Sequence, residues 1–160
     1  MNKAIYPGSF DPITLGHVNI ITRALEFFDE LVVLLAVNPV KKALFTVEEN
    51  LEMIQDVTSS WPQVTVDSTQ GLLVDYARQY GITKAVRGLR GVTDFDTEFA
   101  MALTNRSLWS EFDTVYLVTD AKFMYLHSSV VRQVAALGGD VSGFVSPLVE
   151  QRLRVKLGSI

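Results

Sequence analysis

Strand-length apolar runs alternate with helix-length amphipathic segments along this chain, and that alternation leaves few folds open. Ala4-Ile5-Tyr6 is a short strand closed by Pro7-Gly8. Leu31 to Val37 is apolar without a break, as in a strand covered on both faces. Val64–Val66, Lys84–Val86 and Val115–Val118 supply three more strands. The periodicity between them predicts helices. The first runs from His17 to about Phe28, with Ile20, Ile21, Ala24 and Leu25 on one face. The second runs to about Ser60, with Thr46 as N-cap and Glu49 reaching back in a capping box. Leu72 to Tyr80 is a third, stopped by Gly81. Asp94 to about Leu108 is a fourth, with Phe95, Phe99 and Ala102 on its apolar stripe. Ser128 is expected to cap a helix ending at Gly138-Gly139, and Ser146-Pro147 opens a last one. Five strands separated by helices imply right-handed βαβ units. The expected fold is α/β, a single Rossmann-like doubly wound domain over 1–160, with helices on both faces of a five-stranded parallel sheet.

The 160 residues suffice for one sizeable core, and no Pro/Gly/Ser-rich linker divides them. There is no cysteine, which removes disulfides, thiolate zinc sites and a cysteine nucleophile together. Two histidines without HExxH spacing argue against a histidine-rich metal site, and no residue is assigned as a metal ligand. A net charge of −4 speaks against nucleic acid as a partner, while leaving small phosphate ligands open. The N-terminus enters a strand too soon for a signal peptide, and no apolar run approaches the ~20 residues of a membrane span. The expected location is the cytoplasm, with no membrane partner.

In open parallel sheets, ligands bind beyond the carboxyl ends of the strands, so the strand exits carry the functional reading. The first leads into Thr14-Leu15-Gly16-His17. Gly16 lets a phosphate or base approach the backbone, and His17 begins the next helix, where free N–H groups favour an anion. A plain turn with a passive histidine cap would use the same residues. The second exit carries Lys41-Lys42, which could meet an anion; a solvated loop is the simpler reading. The fourth is Arg87-Gly88-Leu89-Arg90-Gly91, two arginines flanked by glycines, a good phosphate clamp. Glu98, in the following helix, could orient an arginine or a ribose, or stand on the surface. After the fifth strand, Phe123, Met124 and Tyr125 could wall a base or cover the core. Ser128 and Ser129 could cap a helix or present hydroxyls to phosphate. These loops converge on one edge of the expected sheet.

Together these residues resemble the bacterial phosphopantetheine adenylyltransferases, over about Ala4 to Leu157. The resemblance rests on Tyr6–His17, on Phe-Thr-x-Glu-Glu at Phe45–Glu49, on Gly-Leu-Leu-Val-Asp-Tyr at Gly71–Tyr76, and on Arg87–Arg90. It implies transfer of AMP from ATP to 4′-phosphopantetheine, giving dephospho-coenzyme A and pyrophosphate, with Mg²⁺ as cofactor. It further implies a homohexamer and feedback binding of coenzyme A. Carried over, Ser9, Phe10, His17, Gly88, Leu89, Arg90 and Glu98 contact ATP. Phe123, Met124, Tyr125, Leu126, His127, Ser128 and Ser129 close over the nucleotide. Ser9, Lys41, Leu73 and Arg87 hold the pantetheine substrate, and His17, Lys41 and Arg90 are the expected catalytic residues. This chain departs from the pattern at three places. Leu126-His127-Ser128-Ser129 stands where the family reads Ile-Ser-Ser-Ser, Thr97 where an aromatic is common, and Asn50 where an arginine follows the two glutamates.

Overall fold

The computed structural model describes residues 2–158, with the side chains of Val92 and Thr93 excepted. Its strands are β1 (Lys3–Gly8), β2 (Glu30–Ala36), β3 (Val64–Thr69), β4 (Lys84–Leu89) and β5 (Asp113–Val118). The helices are α1 (Leu15–Ala24), α2 (Val47–Thr58), α3 (Leu73–Gln79), α4 (Val92–Leu108), α5 (Ser128–Ala136) and α6 (Pro147–Leu157). The strands pair in parallel in the order β3-β2-β1-β4-β5.

Period-two alternation divides each strand between two cores. Ala4, Tyr6, Leu31, Val33, Leu35 and Val86 face one side, where α1, α2, α5 and α6 bring Ile21, Ile54, Val131 and Leu153. Ile5, Val32, Leu34 and Ala85 face the other, under Val74 and Ala77 of α3 and Phe112. The sheet is therefore buried on both faces, which explains why β2 reads as an unbroken apolar run.

Helix starts follow the side chains available. Thr46 accepts from the amide of Glu49 while the Glu49 carboxylate accepts from that of Thr46, completing the expected capping box. Ser146 accepts from the Val149 amide. Ser128 differs from expectation. It is the first helical residue, His127 holds the N-cap position, and the Ser128 hydroxyl donates instead to the Pro12 carbonyl at 2.8 Å.

Two expected element ends are corrected. α1 ends at Ala24 rather than Phe28, because the chain turns back there to enter β2. β4 does not end at Val86; it continues through Arg87, Gly88 and Leu89, which pair with Tyr116, Leu117 and Val118 of β5. Gly88 serves close packing inside the strand: a Cβ there would lie 2.9 Å from Ile20 of α1. The stripe of α4 is not core. Phe95 and Phe99 stack on each other but are 43% and 49% exposed. α4 lies against β4, β5 and α3 and leaves Met101, Leu103 and Leu108 uncovered as well. Among the described residues, no helix is long and apolar enough to cross a membrane.

Candidate active site

The strand order reverses direction at β1, and the crevice between the carboxyl ends of β1 and β4 is where such a sheet binds ligands. A cavity of about 440 Å³ opens there. Its walls come from the exits of β1 and β4 and from the first turns of α1, α4 and α5.

The exit of β1 forms the floor. Phe10 adopts a left-handed backbone, with φ of 40°, and its ring is fully buried. It meets Tyr6 and His17 edge-on, with ring centres 5.3 and 5.0 Å away. Gly8 makes room for that ring, since a Cβ there would fall 2.9 Å from it. The floor is locked from behind by Asp11. Its carboxylate accepts from the amides of Leu44 (2.8 Å) and Phe45 (3.0 Å) and from Asn50, and it pairs with Arg132 at 3.2 Å. Asn50 is buried, and its own carbonyl oxygen has no partner among the described residues.

His17 caps its own helix by an unusual route. Its amide donates to the Thr14 hydroxyl, and the Thr14 amide donates to Nδ1 of the imidazole at 3.0 Å. A backbone N–H can only donate, so Nδ1 is an acceptor and the ring proton sits on Nε2. Burial, followed by the charges of Arg90 and Arg87, pushes the His17 pKa down to about 3. The ring is thus a neutral imidazole whose donor nitrogen has no hydrogen-bond partner among the described residues, and it lines the cavity.

The two arginines of β4 and its exit have different tasks. Arg87 donates through Nε (2.7 Å) and Nη2 to the Glu98 carboxylate, and through Nη1 to the Pro7 carbonyl. That leaves one N–H on each terminal nitrogen for another ligand. Glu98 therefore orients an arginine, one of the roles its position allows. Arg90 donates to the Leu126 carbonyl at 3.1 Å and pairs with Asp94 at 3.3 Å. It therefore ties the β4 exit to the start of α5, where His127, Ser128 and Ser129 complete the wall.

The cavity brings together Ser9, Phe10, His17, Arg87, Gly88, Arg90, Glu98, Leu126, His127, Ser128 and Ser129. Six candidates lie outside its lining. Lys41 is exposed in the turn after β2, and Leu73 starts α3 against the second core. Beside them an open groove of about 460 Å³ runs along Ala36–Pro39 and Gln70–Leu72. Leu89 ends β4, and Phe123 packs on the main core close above Gly16. Met124 and Tyr125 are exposed.

The structure also adds Tyr6, Ile20, Asp94, Thr119 and Arg132 to the walls. Arg132 was within reach of the sequence, being one helical turn beyond Ser128 and so on the same face. Thr119 and Ile20 gave no signal, because only the pairing of β5 and the packing on Gly88 place them. Among the described residues there is no cluster of three or more His, Asp or Glu side chains that could hold a metal ion.

Residues 5–134 match the cytidylyltransferase-like family. The phosphopantetheine adenylyltransferase of Heliobacterium modesticaldum is 48% identical over 99% of this chain and 94% of its own. That of Thermotoga neapolitana is 49% identical over 96% of each chain. Among solved structures, a Vibrio parahaemolyticus protein described as a nicotinate-nucleotide adenylyltransferase superposes with a TM-score of 0.68 at 19% identity, covering 96% of this chain and 99% of that one. The nicotinic acid mononucleotide adenylyltransferase of Plasmodium falciparum, complexed with NaAD, gives 0.66 at 16% identity, covering 97% and 95%. At those identities the solved structures speak for the fold.

Proposed function

This chain belongs to the cytidylyltransferase-like nucleotidyltransferases and, among them, to the phosphopantetheine adenylyltransferases, and from that premise we propose that it moves AMP from ATP to 4′-phosphopantetheine, giving dephospho-coenzyme A and pyrophosphate. The acceptor phosphate, already an anion at neutral pH, attacks the α-phosphorus in line. A new P–O bond forms as the bond to the departing pyrophosphate breaks, and no enzyme nucleophile takes part. The observation that carries this reading is the neutral His17 imidazole, held by the Thr14 amide with its Nε2–H available to a cavity it shares with Arg90. A preorganised donor of this kind stabilises phosphoryl charge as it develops and needs no reorganisation.

Ser9, Phe10, Gly88, Leu89, Arg90 and Glu98 are assigned to ATP, with the Phe123–Ser129 segment closing over it. The Glu98 carboxylate also holds Arg87 in place. Ser9, Arg87, Lys41 and Leu73 are assigned to the acceptor. The open groove between Ala36–Pro39 and Gln70–Leu72 supports an extended, partly apolar arm there. Both pocket carboxylates, Asp94 and Glu98, are engaged by arginines. The side chains present therefore offer no ready cage for Mg²⁺, and the ion is assigned to the ATP phosphates, whose charge it offsets. The same reading carries a cytoplasmic location and feedback binding of coenzyme A, which shares the pantetheine arm. It also carries assembly as a homohexamer, supported by the exposed Phe95, Phe99, Met101 and Leu103 of α4.

The test is pyrophosphate release from ATP with phosphopantetheine, nicotinamide mononucleotide or glycerol phosphate as acceptor. Turnover is expected with phosphopantetheine alone, and His17→Ala should lower kcat by about 10²–10³-fold. Preference for another acceptor, or ATP binding without pyrophosphate release, would overturn the assignment. Equal rates for the two proteins would remove His17 from its role.

A further inference from the structure

The chain has two histidines, and both line the same cavity. His17 is committed through Nδ1 to the Thr14 amide. His127 is not committed. It holds the N-cap position of α5 without a cap bond from its side chain, and its ring makes no hydrogen bond among the described residues. It is half-buried at the cavity wall.

The groups facing it come from four places. Arg90, at the β4 exit, donates to the carbonyl of Leu126, the residue just before His127. Asp94, in the first turn of α4, pairs with that same Arg90. His17 reaches in from α1, and His127 is among the groups that disfavour a charge on it. Arg132, further along α5, lines the same cavity but is paired with Asp11. In the protein without ligand, burial first and Arg90 second lower the His127 pKa, with Asp94 opposing them. The ring is then neutral at pH 7, an uncommitted imidazole that shares a cavity of about 440 Å³ with an arginine.

We propose that His127 is a proton-linked contact for the polyphosphate of the bound nucleotide: it takes up one proton from solvent as the phosphates arrive, so ATP is held more tightly as the medium becomes more acidic. The proposal rests on the adenylyltransferase reading for the nucleotide itself. Its physical basis is the reversal of charge around the ring. The empty pocket presents Arg90 to His127; the filled one adds several phosphate charges, which favour the imidazolium. The added affinity is full below the ligand-free pKa of His127 and fades as pH rises through the higher, ligand-bound one. A serine at this position, as the family pattern has it, would bond phosphate at every pH in this range and carry no such dependence.

Two imidazoles give two sets of ring-proton NMR signals, and His127 is identified by the set that His127→Ser removes. Its titration is followed from pH 5 to 8 for the free protein, with ATP at fixed Mg²⁺, and with tripolyphosphate alone. The midpoint should lie below that of an unperturbed histidine in the free protein and rise by about one unit with either ligand, a shift worth about tenfold in affinity. In parallel, the Kd for ATP of the wild type should weaken about tenfold more from pH 5.5 to 8 than that of His127→Ser or His127→Asn. The nucleotide's own protonation is common to all three proteins and cancels in the ratio. His127→Asn keeps a good N-cap residue, so it guards against a folding defect in the serine variant. A midpoint unmoved by both ligands, or superimposable pH profiles, would overturn the proposal while leaving the transferase reading intact. Failure of the wild type to bind ATP at any pH would overturn both.

Discussion

The segments that leave β1 and β2 touch each other, yet they are built in opposite ways. The β1 exit is buried and committed: Phe10 lies under Gly8, His17 bonds back to Thr14, and Asp11 faces inward. The β2 exit, from Val37 to Ala43, is mostly exposed, with an Asn38 turn and a lysine pair. Leu44 and Phe45, which follow it, have their amides held by Asp11. One segment has its polar groups aimed before any ligand arrives. The other carries its cation on a flexible stem in solvent. Groups that stabilise a transition state benefit from the first design, because they need not reorganise. Groups that capture and admit a substrate tolerate the second.

The seam between these segments is where the largest effect is expected. Asp11→Ala would leave the amides of Leu44 and Phe45 and the Asn50 side chain without this acceptor and would remove the carboxylate that pairs with Arg132. A stability loss of about 2–5 kcal/mol should follow in denaturant unfolding. Asp11→Asn, which keeps one acceptor oxygen and loses the charge, should fall between the two. If Asp11→Ala unfolds at the wild-type midpoint, the contrast between a locked and a loose exit is wrong.

A smaller effect separates the two exits by pH. The folded state holds His17 at a pKa of about 3, against 6.5 for an ordinary histidine. The unfolded chain therefore takes up a proton first as pH falls. The stability His17 contributes is fully present above about 6.5 and is lost as pH drops toward 3. The slope is at most that of one proton, about 1.4 kcal/mol per pH unit. Measured without nucleotide, wild type should lose stability between pH 6.5 and 4.5 more steeply than His17→Ala. Parallel slopes would mean that the imidazole is not held neutral. Carboxylate titrations shared by both proteins cancel in that difference.

What could be read without coordinates follows the same division. β2 was legible because a strand covered on both faces needs a continuous apolar run, the other strands as short β-branched or apolar segments between helices, and Gly81 and Thr46 marked helix ends by their own chemistry. The β1 exit was legible as a site, but not how His17 is aimed: its bond to the Thr14 amide depends on the turn's conformation. The glycines on either side of Leu89 and Arg90 signal a loop at Arg87; pairing with β5 overrides that local signal and keeps Arg87 in the strand, beside Glu98. The stripe on α4 was legible as a stripe, but periodicity reports amphipathicity, not what covers the apolar face, and Phe95 and Phe99 are exposed. Asp11 sat in plain view inside the Tyr6–His17 motif, but its partners lie more than thirty residues away.

Lys41 gives the comparison its sharpest edge, because here the fold should not respond at all. Its side chain is exposed and outside the cavity lining, so Lys41→Ala should change stability by no more than about 0.5 kcal/mol. If the β2 exit recruits this lysine to an acceptor phosphate, one charge-assisted bond disappears. The loss in kcat/KM should then be roughly 10- to 100-fold, corresponding to about 1.5–3 kcal/mol. Because the bond forms only after the loop has found its ligand, part of that loss should appear in KM for the acceptor, with KM for ATP unchanged. His17→Ala should act mainly on kcat, since its donor is in place beforehand. A Lys41→Ala enzyme with wild-type kinetics would make the β2 exit the solvated loop that its exposure allows. A loss confined to kcat would instead place Lys41 with the preorganised groups and erase the distinction between the two exits.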